Sequence, residues 1–361
     1  MDYIIDKDLK RVWIISDTHF GVRNNSLEWL DIQMDYFYNF FIPLVKENCK
    51  EGDMILHMGD VFDSRQSVNI KIMNAVVHLF TDLVKILPIT IIVGNHDIYH
   101  KYSNDIHSLK VLDQIDGIDV YTEPLIMTTT DAKLMLMPWR YNHDKTIEAL
   151  ADRGDADYLF AHTDFAGVKM NRSVQIDGEL QHSNVKSFKR VYSGHIHYAQ
   201  VYKNIRMVGC PYQMTRSDTG NSKNVFLLDL KTDEETVFPN LYSPIFTKIS
   251  IEKLIELTGP EIKDLIKNNF VDIYFTQERT QSFPYNLFME LIAGYGYRKI
   301  SYKISETMET ENRTIEISEN VSMKDLIDMY FDSLSYSDDL KNKMKKYSQD
   351  IHDKISKQNE V

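Results

Sequence analysis

The sequence has little cysteine and no long hydrophobic run. Only Cys49 and Cys210 occur among its 361 residues, and two thiols cannot build a disulfide framework or a four-thiolate zinc site. Each is expected to be a small buried apolar residue, which suits a reducing compartment. The charged start of the chain is unlike a signal peptide, and no apolar run reaches the roughly 18 residues of a membrane span. The composition therefore predicts a soluble cytoplasmic protein.

Basic residues are also scarce relative to acidic ones. The chain carries 41 Lys and Arg against 53 Asp and Glu, a net charge of −12. This argues against a protein that coats nucleic acid, because such proteins usually present a basic face. An enzyme acting on DNA is not excluded, since carboxylates that hold cations are neutralised once the metal is bound.

What the sequence does contain is a repeated pattern of apolar runs that end in polar side chains. In the run Ile91–Val93, for example, Gly94 lets the backbone turn sharply, and Asn95, His96 and Asp97 follow. Short β-branched runs of this kind predict buried strands. Four further runs end in the same way, at Asp17-Thr18-His19, Gly59-Asp60, His162 and Gly194-His195-Ile196-His197.

These strand ends together predict a metal centre. Oxygen and imidazole ligands without thiolate suit Mn²⁺, Fe²⁺, Mg²⁺ or Zn²⁺. They are too many for one ion, and they suit two ions that share a bridging carboxylate, the arrangement used for in-line attack on phosphorus. His57 lies inside a predicted strand, so we expect it to be a core histidine and not a ligand.

The order of predicted elements indicates an α/β protein. Strands alternate with helices through residue 97, which is typical of a parallel sheet. The part that follows is rich in strands and predicts a second, mixed sheet packed on the first. Helices are predicted at about 26–48, 67–85, 104–115 and 143–152.

The last third of the chain carries no cluster of ligands. Residues 246–304 alternate strand and helix and predict a small α/β unit. Residues 305–320 are polar and acidic and predict a linker. Apolar residues at helical spacing predict a helical tail over 321–361. We therefore divide the chain into domains at 1–240 and 241–304, a linker at 305–320 and a tail at 321–361.

The set of motifs resembles the calcineurin-like metallophosphoesterase superfamily. Within it, the chain is most similar to the SbcD-type DNA repair nucleases, a group that includes the recombination endonuclease subunits of T-even-like phages. The resemblance rests on Asp17-x-His19, Gly59-Asp60-x-x-Asp63, Gly94-Asn95-His96-Asp97, His162 and Gly194-His195-x-His197. It implies an α/β fold (α+β in some schemes) in which a two-sheet sandwich is flanked by helices, followed by an α/β cap and a helical tail.

The resemblance also implies a role for each motif residue. One ion would be held by Asp17, His19, Asp60 and His197, and the other by Asp60, Asn95, His162 and His195. Both ions would be Mn²⁺, with Mg²⁺ as the alternative. His96 would stabilise the transition state or protonate the leaving oxygen.

The resemblance further implies a two-metal DNA nuclease that works with an SMC-like ABC ATPase in DNA end processing, recombination and repair. Its substrates would be double-strand ends and single-stranded DNA, and the C-terminal helices would bind the ATPase. A homodimer through the aromatic-rich helix at 26–48 is one possibility, although core packing explains that helix equally well. If the chain is phage-encoded, it would act in the host cytoplasm.

The sequence is also compatible with other functions. The chain could be a phosphatase or small-molecule phosphodiesterase on the same fold, although protein phosphatases of the superfamily read Gly-Asp-x-x-Asp-Arg-Gly and Gly-Asn-His-Glu, where this chain has Ser64-Arg65-Gln66 and Asp97. It could also be a non-catalytic recombination scaffold. The tail could cover its own domain instead of a partner.

Asp63 departs from the pattern of many cellular SbcD-type nucleases, which have a histidine there. We expect its carboxylate to accept a hydrogen bond from His96 and fix the tautomer of that ring. The alternative is that Asp63 caps the following helix. The sequence suggests no role for Asp97.

Overall fold

The computed structural model describes residues 4–100, 102–152, 154–275, 283–304 and 341–348. The chain forms two compact units, Met1–Ser305 and Glu306–Val361. The described part of the second unit is a helix over residues 341–348. Across the described ranges, no helix is long and apolar enough to cross a membrane.

Eighteen strands and eight helical segments make up the first unit as described, and the first of these segments is a left-handed turn, because Arg23, Asn24 and Asn25 have φ of 56°, 60° and 61°. The strands are β1 (Ile4–Asp6), β2 (Arg11–Ile15), β3 (Asp53–His57), β4 (Ile89–Ile92), β5 (Ile98–His100), β6 (Ser103–His107), β7 (Ile118–Tyr121), β8 (Leu125–Thr128), β9 (Lys133–Met137), β10 (Tyr158–Ala161), β11 (Arg190–Ser193), β12 (Gln200–Tyr202), β13 (Ile205–Met207), β14 (Asn224–Asp229), β15 (Glu235–Pro239), β16 (Phe246–Ser250), β17 (Phe270–Phe275) and β18 (Lys299–Ile304). The helices are α1 (Val22–Asn25), α2 (Leu27–Tyr36), α3 (Ile42–Asn48), α4 (Ile70–Val84), α5 (His143–Ala151), α6 (Ile251–Leu254), α7 (Gly259–Ile266) and α8 (Tyr285–Ile292).

Two large sheets form the body of the first unit. One has the order β15-β14-β2-β3-β4-β7, and the other has the order β1-β8-β9-β10-β11-β13-β12. Strands β2, β3, β4 and β7 are mutually parallel, and so are β9, β10, β11 and β13. The carboxyl ends of β2, β3 and β4 therefore meet at one edge of the first sheet, and those of β10 and β11 at one edge of the second.

The alternation of side chains along these strands builds a layered core. In β2, Val12 and Ile14 pack in a cluster with Leu134, Phe160 and Tyr192 of the other sheet. The residues between them, Trp13 and Ile15, pack on the outer face with aromatic side chains of the helices, among them Phe37, Phe41 and Phe80. Two sheets flanked by helices confirm the predicted fold class.

The long helix predicted at 26–48 is one helical stretch with a π-helical turn at Phe37–Phe41 between α2 and α3. Ser26 caps it, as predicted, and its side chain accepts a hydrogen bond from the Trp29 N–H. Tyr36, Phe37 and Phe41 are fully buried. Core packing therefore accounts for the aromatic stripe, and a homodimer through this helix stays a prediction.

A smaller parallel sheet, β16-β17-β18, lies after residue 245 and packs with α6, α7 and α8 around its own apolar cluster. It joins the body through Trp29, whose ring stacks on Phe246 and Phe270 at centroid distances of 6.2 and 5.6 Å. Arg216 adds a two-pronged ion pair with Asp272 of β17. A boundary at residue 240 between body and cap stays a prediction.

The helix predicted at 104–115 is wrong. Strand β6 occupies the start of that segment, and a 3₁₀ turn follows at Ser108–Val111. Leu109 in this turn and Leu112 just after it are fully buried. Strands β1, β5 and β15 were not predicted. The linker 305–320 and most of the predicted tail lie outside the described residues.

Candidate metal centre

The predicted ligands lie at the carboxyl ends of β2, β3, β4, β10 and β11. Four of them have left-handed backbone conformations, with φ of 53° at Asp17, 46° at His19, 55° at Asp60 and 74° at His195. Such angles are uncommon for residues with a side chain, and they concentrate at functional sites. Main-chain hydrogen bonds hold these turns, including Asp17 N–H to Gly59 O and His19 N–H to Asp60 O, both 3.0 Å.

Two glycines let the strand ends approach each other. A Cβ atom on Gly59 would lie 2.7 Å from the Cα of Gly94 and 2.7 Å from Nδ1 of His162, closer than real Cβ atoms come. A Cβ atom on Gly94 would collide with Asp60. The Gly-Asp and Gly-Asn pairs thus have a steric reason, because only glycine allows this backbone contact.

The first group of side chains comprises Asp17, His19, Asp60 and His197. Nε2 of His19 lies 2.9 Å from Nε2 of His197, 3.6 Å from Oδ2 of Asp60 and 3.9 Å from Oδ1 of Asp17. Nε2 of His197 lies 3.8 Å from the same Asp17 oxygen. Two imidazole nitrogens and two carboxylates therefore converge on one point.

The second group comprises Asp60, Asn95, His162 and His195. Oδ1 of Asn95 lies 3.0 Å from Nε2 of His162 and 2.6 Å from Nδ1 of His195. Nε2 of His162 lies 3.3 Å from Oδ2 of Asp60. Asp60 thus belongs to both groups, the position that a bridging carboxylate must occupy.

The imidazoles of the centre differ in protonation. His162 donates from Nδ1 to the Met58 carbonyl oxygen at 2.6 Å. Burial opposes the charge of His162, but Asp60 and Asp17 outweigh it and raise the pKa of the ring to about 9, so a divalent ion would displace the proton from Nε2. Burial lowers the pKa of His195 and of His197 to about 3, so both rings are neutral. Burial opposes the charge of Asp60, but the neighbouring imidazoles His162 and His19 outweigh it and hold the pKa of that carboxyl below its usual range.

The donor set agrees with this assignment. Carboxylate, amide and imidazole groups are present, and the buried thiol of Cys210 has its pKa raised to about 12, which disfavours the thiolate form of a ligand. Three overlapping groups, Asp17-His19-His197, His19-Asp60-His96 and Asp60-His162-His195, bring ligand atoms within 4.8 Å of one another. The residues present therefore fit two hard or borderline divalent ions.

His96 lies beside the centre and is held by the main chain. Its Nδ1 lies 2.6 Å from the carbonyl oxygen of Asp63, and since a carbonyl can only accept, Nδ1 carries the proton. Its backbone N–H donates to Oδ1 of Asp60 at 2.7 Å. The tautomer of His96 is therefore fixed, with Nε2 available for proton transfer.

The expected bond from His96 to the Asp63 carboxylate is wrong. That carboxylate lies instead 3.3 Å from Nδ1 of His19. The alternative of a helix cap is also wrong, because α4 begins at Ile70 and is capped by Asn69. His19 has a left-handed backbone conformation, and its ring lies against Asp63. The spacing of residues in the sequence does not reveal this contact.

Asp97 has a structural role that the sequence did not suggest. Its Oδ2 accepts the N–H groups of Asp60 and Gly94, and its Oδ1 accepts those of Val61 and Phe62, at 2.8 to 3.2 Å. Burial raises the pKa of Asp97 to about 7, helped by the charge of Asp60 and opposed by these N–H donors. The carboxylate ties the turn after β3 to the turn after β4.

Two other buried polar residues donate hydrogen bonds to main-chain carbonyl oxygens at or next to the predicted ligands. The sequence analysis did not predict them. The Gln33 side chain donates to the carbonyl oxygens of Thr18 and His19. The Lys223 ammonium, whose side chain is 3% exposed, pairs with Asp218 and donates to the His197 carbonyl oxygen at 2.8 Å. The only feature of the sequence that could have indicated such a residue is a polar side chain at an apolar position of a helix, as at Gln33 in α2.

His57 is a core residue, as expected. It is fully buried, its Nε2 lies 3.0 Å from the Thr18 hydroxyl, and burial lowers the pKa of its ring to about 3. His57 therefore packs against Thr18, the middle residue of the turn Asp17–His19.

Comparison with known proteins agrees with this geometry. The calcineurin-like phosphoesterase family matches residues 10–199. The chain is 26% identical to exonuclease subunit 1 of Enterobacteria phage T4, over 63% of this chain and 66% of that protein. It is 28% identical to the DNA double-strand break repair protein Mre11 of Saccharolobus solfataricus, over 71% of this chain and 70% of that protein.

The chain thus spans about two thirds of the length of the T4 protein. The family match covers more than half of the chain and includes all five strand ends with their ligands. The chain belongs to the calcineurin-like phosphoesterase family.

Proposed function

We propose that the protein is a two-metal DNA nuclease that hydrolyses phosphodiester bonds. The observation that carries the proposal is the position of Asp60 between two groups of ligands, with His19 Nε2 3.6 Å from it on one side and His162 Nε2 3.3 Å on the other. Paired metal sites of this kind act on phosphorus by in-line displacement. Mn²⁺ is our first choice of ion and Mg²⁺ the second.

In this proposal Asp17, His19, Asp60 and His197 hold one ion, and Asp60, Asn95, His162 and His195 hold the other. Bound divalent ions supply a water of lowered pKa and neutralise charge on the phosphoryl oxygens. His96 presents Nε2, because Nδ1–H is bonded to the Asp63 carbonyl oxygen. With both ring nitrogens protonated, His96 donates the Nε2 proton to the leaving oxygen or a hydrogen bond to the phosphoryl group, and the Nδ1 proton stays hydrogen-bonded to the Asp63 carbonyl oxygen.

The choice of DNA as substrate rests on the relatives and on the motifs. One relative is an exonuclease subunit and the other a DNA double-strand break repair protein. The chain has Ser64-Arg65-Gln66 after Asp63 and Asp97 after His96, where protein phosphatases of the superfamily differ. Its substrates in this proposal are double-strand ends and single-stranded DNA.

We also propose a partner, an SMC-like ABC ATPase bound by the C-terminal helices. The resemblance supports this, and so does the name of the T4 relative, which is a subunit. Residues 341–348 are helical. Deleting residues 321–361 should abolish co-purification with the ATPase and leave the first unit folded, whereas retained co-purification would refute the role of the tail.

The test of the substrate is a comparison of two reactions with Mn²⁺. End-labelled duplex and single-stranded DNA are incubated with the protein, in parallel with a generic phosphomonoester. We expect DNA cleavage that is lost in His96→Asn. Strong monoester turnover without cleavage of DNA would favour a phosphatase instead.

A further inference from the structure

Two exposed tyrosines line a cleft on segments that lead away from the metal centre. Tyr102 and Tyr141 form an edge-to-face pair with their ring centroids 4.7 Å apart. They are 78% and 52% exposed, so core packing does not explain them. The cleft that they line has a volume of about 410 Å³ and is otherwise polar, with Asn104, Asp105, Glu123, Arg140 and Lys145 in its wall.

Trp139 connects this cleft to the ligands. Its ring lies over the His195 imidazole, with centroids 4.8 Å apart. The backbone N–H of Trp139 donates to the Val93 carbonyl oxygen at 2.8 Å. Val93 directly precedes Gly94 and Asn95. Tyr141 follows two residues after Trp139, which is at most about 7 Å along the chain.

The second wall of the cleft is a hairpin that follows the metal-centre residues in the chain. The hairpin of β5 and β6 begins at Ile98, one residue after Asp97, and carries Tyr102 at its turn. Asn104 joins this hairpin to the first wall, because its Nδ2 donates to the carbonyl oxygens of Trp139 and Thr122 at 2.9 Å each. Both tyrosines therefore lie on segments whose main chains are connected to the turns that carry the predicted ligands.

We propose that the Tyr102–Tyr141 cleft binds an unpaired nucleotide of the DNA strand whose phosphodiester lies at the metal centre. Exposed aromatic rings stack on any base, because every base has a π face. A duplex keeps its bases stacked inside, so such rings take only nucleotides that are unpaired or flipped out.

The cleft carries charges of both signs, Arg140 and Lys145 against Asp105 and Glu123, and this polar wall fits a nucleotide better than an apolar peptide. Lys145 is exposed there, at the start of α5. Arg140 pairs with the exposed Glu123 at 2.7 Å, and exposed pairs of this kind are weak enough to rearrange around a phosphate. The inference rests on the proposed function, and it specifies a single-stranded segment as the form of substrate that reaches the centre.

The test measures the binding of a fluorescent oligothymidylate by anisotropy. The full-length His96→Asn protein with Mn²⁺ serves as the parent, so that the strand is not cleaved. We expect Tyr102→Ala and Tyr141→Ala each to raise the Kd about fivefold or more. Tyr102→Phe and Tyr141→Phe should stay within about twofold of the parent, because the rings remain.

Tyr38→Ala is the matched control, since Tyr38 is 40% exposed and lies on the π-helical turn outside the cleft. It should bind like the parent. An unchanged Kd in both cleft alanine variants would overturn the inference, and so would equal losses in the phenylalanine variants or no binding by the parent.

Failure of the inference can be told apart from failure of the proposed function. If wild type cleaves DNA but the cleft variants bind the oligonucleotide normally, only the cleft is wrong. If the cleft variants lose binding but wild type cleaves no DNA, the nuclease assignment is wrong.

Discussion

The carboxylate of Asp63 lies 3.3 Å from Nδ1 of His19, while the carbonyl oxygen of the same residue lies 2.6 Å from Nδ1 of His96. One residue thus lies against two histidines with two different groups. The carboxylate faces a predicted metal ligand, and the main chain holds the predicted acid. Substitution of the side chain should therefore affect metal binding and leave the tautomer of His96 unchanged.

Asp63→Ala should weaken Mn²⁺ binding, because it removes a carboxylate that lies 3.3 Å from Nδ1 of the predicted ligand His19. Loss of such an outer group usually costs about 10- to 100-fold in metal affinity. Calorimetric titration of the metal-free protein measures this. The pH–rate profile at saturating metal should keep the wild-type shape. Unchanged metal affinity together with a shifted profile would show that the carboxylate acts on His96 after all.

Asp97→Asn should destabilise the protein, because an amide can accept through one oxygen only and leaves two of four buried N–H groups unpaired. Each such group costs about 1–3 kcal/mol. Urea unfolding of the metal-free protein measures the loss. Asp229→Asn is the control, since Asp229 accepts two N–H groups in an exposed turn, and a loss no larger than in this control would refute the clamp.

Lys223→Met should destabilise the protein by about 3–5 kcal/mol, because it leaves the buried carboxylate of Asp218 without its charge partner. Replacing both residues, as in Lys223→Met/Asp218→Asn, should recover part of the loss. The free energy of unfolding of the two single variants and the double variant completes a mutant cycle. Strict additivity would contradict the coupling of the two charges.

The ion pair of Arg216 with Asp272 should make stability depend on pH. Burial opposes the charge of Asp272, but hydrogen bonds from Arg216 and Lys303 outweigh it and lower its pKa below 3.8. A lowered pKa gives stability that is present above pH 3.8 and is lost as the pH falls through the folded value. Asp272→Asn should be less stable than wild type at pH 7, and the gap should shrink below pH 3.8. A gap of constant size would contradict this contribution.

Much of this arrangement follows from short-range patterns. Apolar runs that end in glycine and a ligand, as at Gly59-Asp60 and Gly94-Asn95, locate the strand ends, and parallel strands bring their carboxyl ends together. The resemblance then predicted different roles for two neighbours, a metal ligand for Asn95 and an acid for His96. The layered sandwich followed from the same strands.

The errors come from contacts between distant residues. The turn angles at His19 decide that its ring meets Asp63, and no spacing rule contains those angles. Asp97 collects four N–H groups only once two separate strand ends lie side by side. The helix predicted at 104–115 does not form, because β6 pairs with β5 over the start of that segment.

Metal stoichiometry tests the central claim most directly. Metal-free wild type, titrated with Mn²⁺, should bind two ions per chain, and Asp131→Ala, a change at an exposed residue, should do the same. Asp60→Ala should weaken both sites, because its carboxylate belongs to both groups, whereas Asn95→Ala should weaken one. A single ion in wild type, or two ions bound with unchanged affinity in Asp60→Ala, would contradict a two-metal centre bridged by Asp60.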